Sequence, residues 1–378
     1  MDLQVELFEA VAEPQPIGAG LLLQPTGQAV LKSMGLLDTA LAHGARIDRL
    51  YGDSAHGRTV LDMAYQRFAP EAHGLGLQRG ALMGLLWERL RATEVMWRCG
   101  VMVDRFEQDD EGVSLYADGV ELGRYDALIL ANGSFSNLRS HLRLTHSART
   151  FPWGALWTVL PAHEDFRQPV LRQRFRAARE MVGFMPVGRN FGEGEQGVNL
   201  FWSLPSERVQ AWTNATPESL AALKRAMVTL LPEIAPLLEA LQSPQQLRQA
   251  RYADVLMASC HEGRVLAIGD CAHGMSPQLG QGANMALIDA HVLALRCESA
   301  SDWPERFAAF SACRLGHHRF YTQASRLLTP MFQSHQRLGP WLRDTFMGPG
   351  RYLPLIDQQS LATLAGYKTG WLSGRLTL

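Results

Sequence analysis

Cysteine is scarce in this 378-residue chain: Cys99, Cys260, Cys271, Cys297 and Cys313 stand far apart, with no C-x-x-C pair and no metal-like spacing with histidine. That argues against a disulfide framework and a structural metal site. It is the thiol usage of a reducing compartment, so a cytoplasmic protein is expected. No apolar run approaches the ~20 residues of a membrane span, and the N-terminus lacks the basic start and apolar core of a signal peptide. Net charge is missing as well. Lys plus Arg is 36 and Asp plus Glu 37, which leaves no field to attract nucleic acid. A G-x-G-x-x-G loop is also absent, because Gly18-Ala19-Gly20 opens one that Gln24 and Pro25 break.

What remains is an ordinary globular composition, 47% hydrophobic and 19% charged. The length suits two domains, or one large domain carrying an insertion. The most informative stretch runs from Arg264 to Leu295. Val265 to Ile268 is a short apolar run of the kind that fills a buried parallel strand. Gly269-Asp270 ends it, a loop dense in Gly, Pro and small residues follows, and an Ala/Leu-rich helix begins near Ala283. A strand, a glycine-lined loop and a helix N-terminus form a platform for a polar, electron-rich ligand, since the first N–H groups of a helix are unpaired and partly positive. Gly274, Gly280 and Gly282 remove Cβ atoms that would hold a flat ligand off that backbone. Asp270 has two readings of equal weight: a cap on the turn, or a carboxylate receiving ligand hydroxyls.

Gly269-Asp270-Cys271-Ala272-His273, then Pro277, then Gly280-Gln281-Gly282-Ala283-Asn284, resemble the second flavin motif of the FAD-dependent aromatic-ring monooxygenases, the p-hydroxybenzoate hydroxylase and ubiquinone-pathway hydroxylase type. The match covers many positions in fixed order. It implies an α/β fold with α+β character: a Rossmann-like FAD-binding domain, an inserted antiparallel-sheet substrate domain and a helical C-terminal region. The expected division is 1–149 and 260–300 for the FAD-binding domain, 150–259 for the sheet and 301–378 for a helical cover. Asp270, Pro277, Gly280, Gly282, Ala283 and Asn284 are the implied cofactor-binding residues of this stretch.

Leu3 to Glu9 alternates like a strand and ends in an acid. In dinucleotide folds an acid at the end of the second strand accepts hydrogen bonds from the ribose, and Glu9 fits that place. The plainer reading of Glu9 is a solvated strand end. The glycine fingerprint belongs about 20 residues upstream of such an acid, so the expectation is a reading frame that continues upstream of Met1; the alternative is a chain that does without the loop. Thr26 to Ala42 reads as one helix with Leu31, Met34, Leu37 and Leu41 on a face, and His56 to Ala69 as a pair of strands. Arg79, at the start of a helix over 80–91, is poorly placed for the helix dipole. It stands where the family carries an arginine directed at the flavin, and a guanidinium can hold a pyrophosphate bidentately. Glu94 to Gly123 reads as three strands. Tyr125 to Arg139 resembles the family's Asp-Gly motif, with Asn132 in place of the usual Asp, and Gly133 and Arg139 kept.

Strands at 151–160, 171–176, 181–186 and 198–204 make an antiparallel sheet whose aromatic residues, Trp153, Trp157, Phe184 and Trp202, alternate with small ones. One face of it can floor an apolar pocket. Pro217 to Leu241 is a helical excursion, and Trp303 to Thr329 a long helix. The tail beyond is rich in Leu, Met, Trp and Phe; cover for the pocket is its first reading, and peripheral contact with a lipid surface its second. The resemblance implies FAD as cofactor, NAD(P)H as co-substrate, and transfer of one oxygen atom from O2 to a small aromatic or polyketide-like apolar substrate, with no nucleic-acid partner. No side chain stands out as a catalytic base. The competing expectations are a non-hydroxylating flavin oxidoreductase and a flavin-free binding protein.

Overall fold

The computed structural model describes residues 3–15, 18–144, 146–192, 194–298, 301–372 and 374–377. The first part of the chain holds β1 (Glu6–Glu9), β2 (Gly20–Leu23), α1 (Pro25–Ser33), α2 (Leu37–His43), β3 (Ala45–Ile47), β4 (Arg49–Ser54), β5 (Thr59–Ala64), β6 (Gly74–Gln78) and α3 (Arg79–Arg91). Four short strands follow, β7 (Met96–Cys99), β8 (Arg105–Gln108), β9 (Val113–Ala117) and β10 (Val120–Tyr125), then β11 (Leu128–Leu130). The middle is β12 (His146–Pro161), β13 (Val170–Arg176), β14 (Glu180–Gly188), β15 (Gly197–Pro205), α4 (Ser206–Ala211), α5 (Pro217–Leu230) and β16 (Arg248–Met257). The chain returns through β17 (His261–Glu262), β18 (Val265–Ala267), α6 (Asp270–His273) and α7 (Gly282–Cys297). It ends in α8 (Trp303–Phe332), α9 (Leu338–Gly350) and α10 (Pro354–Leu364).

The expected architecture is present, with instructive differences. The antiparallel sheet has the order β16-β12-β15-β14-β13-β4-β5, so it reaches back across residue 149 to recruit β4 and β5. These strands are where the pair expected at 56–69 lies, shifted toward the N-terminus. The recruitment has a local cause: β4 runs parallel to β13 with Asp53 opposite Arg174 in register, and Asp53 accepts hydrogen bonds from both Arg172 and Arg174. The helix expected over 26–42 is broken into α1 and α2, because Gly35 sits at φ +71° just past α1, the left-handed position that ends helices. Four strands, not three, occupy 96–125. Asp118 and Gly119, both at positive φ, close the β9–β10 hairpin.

The parallel layer is in two pieces. Among the described residues β1 pairs with β7 alone, and β11 with β18 alone, β18 being flanked on its far side by β17. Ile129, in the middle of β11, is exposed. Packing joins the pieces instead: Phe8 of β1 packs on the cluster of Leu130, Val265 and Ala267, edge-on to Tyr125.

One large core lies between the sheet and α5. Thr216 caps that helix by accepting from Ser219 N, Pro217 opens it, and Leu220, Leu223, Met227 and Leu230 line its inner face against Trp202 and Leu156. A second core, of α1, α3, α7 and β6, holds Leu23, Leu31, Leu77, Leu82 and Ile288. The two halves of the molecule touch backbone to backbone at β6, where a Cβ on Gly76 would meet Pro186 O at 2.1 Å. Backbone oxygen cannot move aside as a flexible side chain can. Gly76→Ala should therefore destabilise the fold by about 3 kcal/mol, measured by urea denaturation. A loss under about 0.5 kcal/mol would show that the two layers slide freely there.

Candidate ligand site at the strand, loop and helix after β18

β18 is buried at all three positions, as the apolar run requires. Gly269 then takes φ +58°, ψ −145°, a conformation nearly closed to other residues, and turns the chain into α6. Pro277 begins a single 3-10 turn that Gly280 ends at φ +61°, and α7 starts at Gly282. Pro277, Gly280 and Asp270 are exposed, while Gly282 and Ala283 are half-buried. A Cβ on Gly282 would come within 3.6 Å of Asp270 Oδ1, so the carboxylate lies beside the start of α7. The side chain of Asp270 makes no hydrogen bond or ion pair among the described residues, and no side-chain cap closes α6. Asp270 thus does not cap the turn through its side chain.

Arg79 opens α3, its backbone N donating to Ala19 O. Its side chain packs so close to Gly18 that a Cβ there would sit 2.6 Å from it. The guanidinium is exposed and, among the described residues, unpartnered. Glu9 stands at the end of β1 with its carboxylate accepting from Val11 N, 2.8 Å away. Asn284, by contrast, is fully buried and spends its side chain on the protein. Its Oδ1 accepts from Gln24 N at 2.8 Å, and its Nδ2 donates to Leu22 O and Gly280 O. It clamps the loop to β2. Asn132 is exposed and donates to Asn137 Oδ1, whereas Arg139 is buried, donating to Cys271 O and Ser134 O at 2.7 Å each.

Beneath the loop lies a cluster that sequence reasoning missed. Asp289 is wholly buried. Its Oδ2 accepts from Gly269 N (2.9 Å) and His273 Nε2 (2.7 Å), and its Oδ1 from Arg314 Nε (2.7 Å) and His318 Nε2 (2.8 Å). Arg314 also donates to His317 Nδ1, and His317 Nε2 donates to Gly366 O. Burial alone would raise the Asp289 carboxyl, but His318 and His273 hold it well below the usual carboxylate range. Burial pushes His318 down to about 4 against the pull of Asp289, and His317 down to about 2, with the Arg314 charge adding to it. His273, Asp289 and His318 place three metal-ligating atoms within 4.8 Å of one another. A cation there would have to displace the Arg314 guanidinium from the same carboxylate oxygen, so the set is built as a hydrogen-bond hub. The signal in the sequence was an acid on the inner face of an Ala/Leu-rich helix, with an Arg and two adjacent His on the next one.

The FAD binding domain family model matches residues 3–297. An FAD-dependent urate hydroxylase from Klebsiella oxytoca is 27% identical over 77% of this chain and 74% of its own length. A 2-heptyl-3-hydroxy-4(1H)-quinolone synthase from Pseudomonas aeruginosa is 27% identical over 94% of this chain and 89% of that protein. Among solved structures, Klebsiella pneumoniae HpxO complexed with FAD and uric acid superposes with a TM-score of 0.77, at 20% identity, over 94% of this chain and 90% of that one.

The buried histidines give a pH dependence. Unfolded, His317 and His318 titrate near 6.5; folded, they stay neutral far lower. Between about pH 6.5 and 4 the unfolded chain thus binds more protons, and stability falls as pH drops, by up to about 2.7 kcal/mol per pH unit for two protons. His317→Asn should roughly halve that slope in urea titrations at several pH values. An unchanged slope would mean that His317 is not buried neutral.

Proposed function

Because this chain belongs to the FAD binding domain family, we propose that the 269–284 loop, with Arg79 and Glu9, holds FAD, and that the protein is a monooxygenase hydroxylating a small aromatic, apolar substrate with NAD(P)H and O2. The observation that carries the reading is the Asp270 carboxylate, exposed and without a partner among the described residues beside the glycine-lined turn at the N-terminus of α7, with a second exposed and unpartnered charge, Arg79, at the start of α3. FAD presents the complementary chemistry: phosphates for a guanidinium, and hydroxyls for carboxylates at Asp270 and Glu9. The open backbone at Gly280 and Gly282 admits a flat ring, and the first N–H groups of α7 face negative charge there.

Bound FAD would supply the redox chemistry and the activation of oxygen. The protein's part is to place the substrate and exclude water. Phe201, half-buried, joins two apolar clusters on the inner side of the sheet, one with Leu22, Met185 and Leu171, the other with Val60, Phe175 and Phe332. Helix α9 closes over β5, where a Cβ on Gly348 would meet Thr59 O at 2.1 Å. These surfaces favour an apolar ring over a charged one. The relatives' names support an aromatic ring, and only one of them an apolar one: urate, an alkylated quinolone and, in a Bordetella bronchiseptica protein 24% identical over 76% of this chain and 75% of its own length, 6-hydroxynicotinate.

No described helix is long and apolar enough to cross a membrane. Peripheral contact with a lipid surface is part of the proposal, supported by Tyr352, Leu353, Leu355 and Ile356, which are all exposed (71% for Tyr352 and Leu355) beside exposed Trp341 and Phe346. Flotation with neutral phosphatidylcholine vesicles tests it. Loss of co-flotation on Leu355→Asp with Tyr352→Ser is expected, and no flotation of the wild type would remove the lipid contact from the reading.

For the flavin, a charge-assisted hydrogen bond contributes about 1.5–3 kcal/mol. Arg79→Ala and Asp270→Asn should each raise the FAD dissociation constant about 10- to 100-fold, read by quenching of flavin fluorescence. Oxygen from labelled O2 should appear in a hydroxylated aromatic product. Folded wild-type protein that acquires no visible flavin bands in excess FAD would overturn the assignment.

A further inference from the structure

Two aspartates of this chain are buried against arginine. Asp53, on β4, takes both oxygens' bonds from Arg172 and Arg174 of the neighbouring strand, at 2.6–3.0 Å. That hub ties a sheet to itself. Asp289 does something different, because its four donors come from three places: Gly269 where β18 ends, His273 in α6, and Arg314 and His318 in α8.

The rest of the loop is laced to the same C-terminal helices. Ser276 Oγ lies 3.0 Å from Ser325 Oγ and 2.7 Å from Thr329 Oγ1, about two and three turns beyond His318 along α8. Gln281 Nε2 donates to Leu364 O, 2.7 Å away, at the end of α10. Tyr321 holds the adjacent carbonyl, Thr363 O, and His317 holds Gly366 O. These anchors, residues 314–366, all fall outside the 3–297 span of the family match.

We propose that Asp289 is the positioning residue of the cofactor loop, and that α8 sets, through it, where Asp270 and the N-terminus of α7 meet FAD. The inference rests on the flavin reading of the site. The physical reason is local. Gly269 holds a backbone conformation that needs support, and its N–H has Asp289 Oδ2 as its acceptor, shared with His273. Asp270 is the next residue. Removing the charge of Asp289 leaves Arg314 and two imidazole N–H groups competing with Gly269 for one amide oxygen, and the turn that aims Asp270 relaxes. Asp289 touches no ligand and acts only through these bonds.

The test compares two variants that break equivalent hubs, Asp289→Asn and Asp53→Asn, with Arg314→Lys as a milder entry from the α8 side. Melting temperature without FAD, FAD dissociation constant and flavin midpoint potential are measured for each. All three variants should melt lower. Asp289→Asn and Arg314→Lys should also weaken FAD binding tenfold or more and shift the potential, while Asp53→Asn leaves both within twofold. FAD binding lost equally in Asp53→Asn, in step with melting temperature, would reduce Asp289 to a stability residue and overturn the proposal. So would wild-type FAD affinity and potential in Arg314→Lys. If Asp289→Asn does not fold, Arg314→Lys alone decides. Asp270→Asn is the independent arm. Unchanged FAD binding there, with weakened binding in Arg314→Lys, would remove Asp270 as a ligand contact and leave the positioning of the loop standing.

Discussion

A carboxylate with no access to water stays charged only if donors meet both oxygens, and Asp289 satisfies that condition by drawing three parts of the chain to one point. Leaving such a charge half-paired costs several kcal/mol, so the backbone turn at Gly269, the short helix α6 and the long helix α8 are fixed by one requirement. Arg314 brings the compensating positive charge, and His318, kept neutral by burial, donates without adding more. The hub holds a glycine in a conformation that has little intrinsic stability. Asp270, the charged group next to Gly269 that reaches the surface, is carried by this frame and is not part of it.

The contrast with the parallel layer is instructive. In the usual doubly wound sheet, backbone ladders fix the relation of successive strands. Here β1–β7 and β11–β18 are separate ladders among the described residues, and what registers them is side-chain packing: Phe8 against Tyr125 and the Leu130 cluster, with Tyr125 Oη donating to Glu6 Oε2. Packing is less directional than a ladder. The hub beneath the loop and the Asn284 clamp on Leu22 O and Gln24 N supply directional bonds that the layer itself does not, and they lie on the side of the molecule where the ligand site is.

Much of the site was legible because it is built from local signals. The run Gly269-Asp270, Pro277, Gly280 to Asn284 encodes strand end, turn and helix start in consecutive residues, and glycines at positive φ cannot be replaced without notice. The antiparallel strands were legible for the same reason, each alternating within itself. Long-range choices were not. Nothing within 49–64 announces that these strands join the inserted sheet; that follows from Asp53 meeting Arg172 and Arg174, some 120 positions away, a distance that periodicity does not register. Asn284 was read as a ligand contact from its place in the motif, yet its side chain bonds to β2, because an amide pairs equally well with backbone and with cofactor. Asp289 and Arg314 were passed over since an isolated acid in a helix is usually solvated.

Surface charges of this chain pair selectively: Arg46 meets Asp48, Arg67 meets Asp357 and Arg326 meets Asp254, while Lys32, Glu88 and Arg89 are exposed without an ion pair among the described residues. Arg79 and Asp270 are of opposite sign, lie beside Gly18 and Gly282 respectively, and pair neither with each other nor with a neighbour among the described residues. Solvation alone explains any single free side chain. It does not explain an arginine set at a helix N-terminus, where the dipole repels it, with its stem packed against Gly18. A ligand that carries both anionic and hydroxyl groups suits both residues, and the missing Cβ at Gly282 leaves room for it beside Asp270.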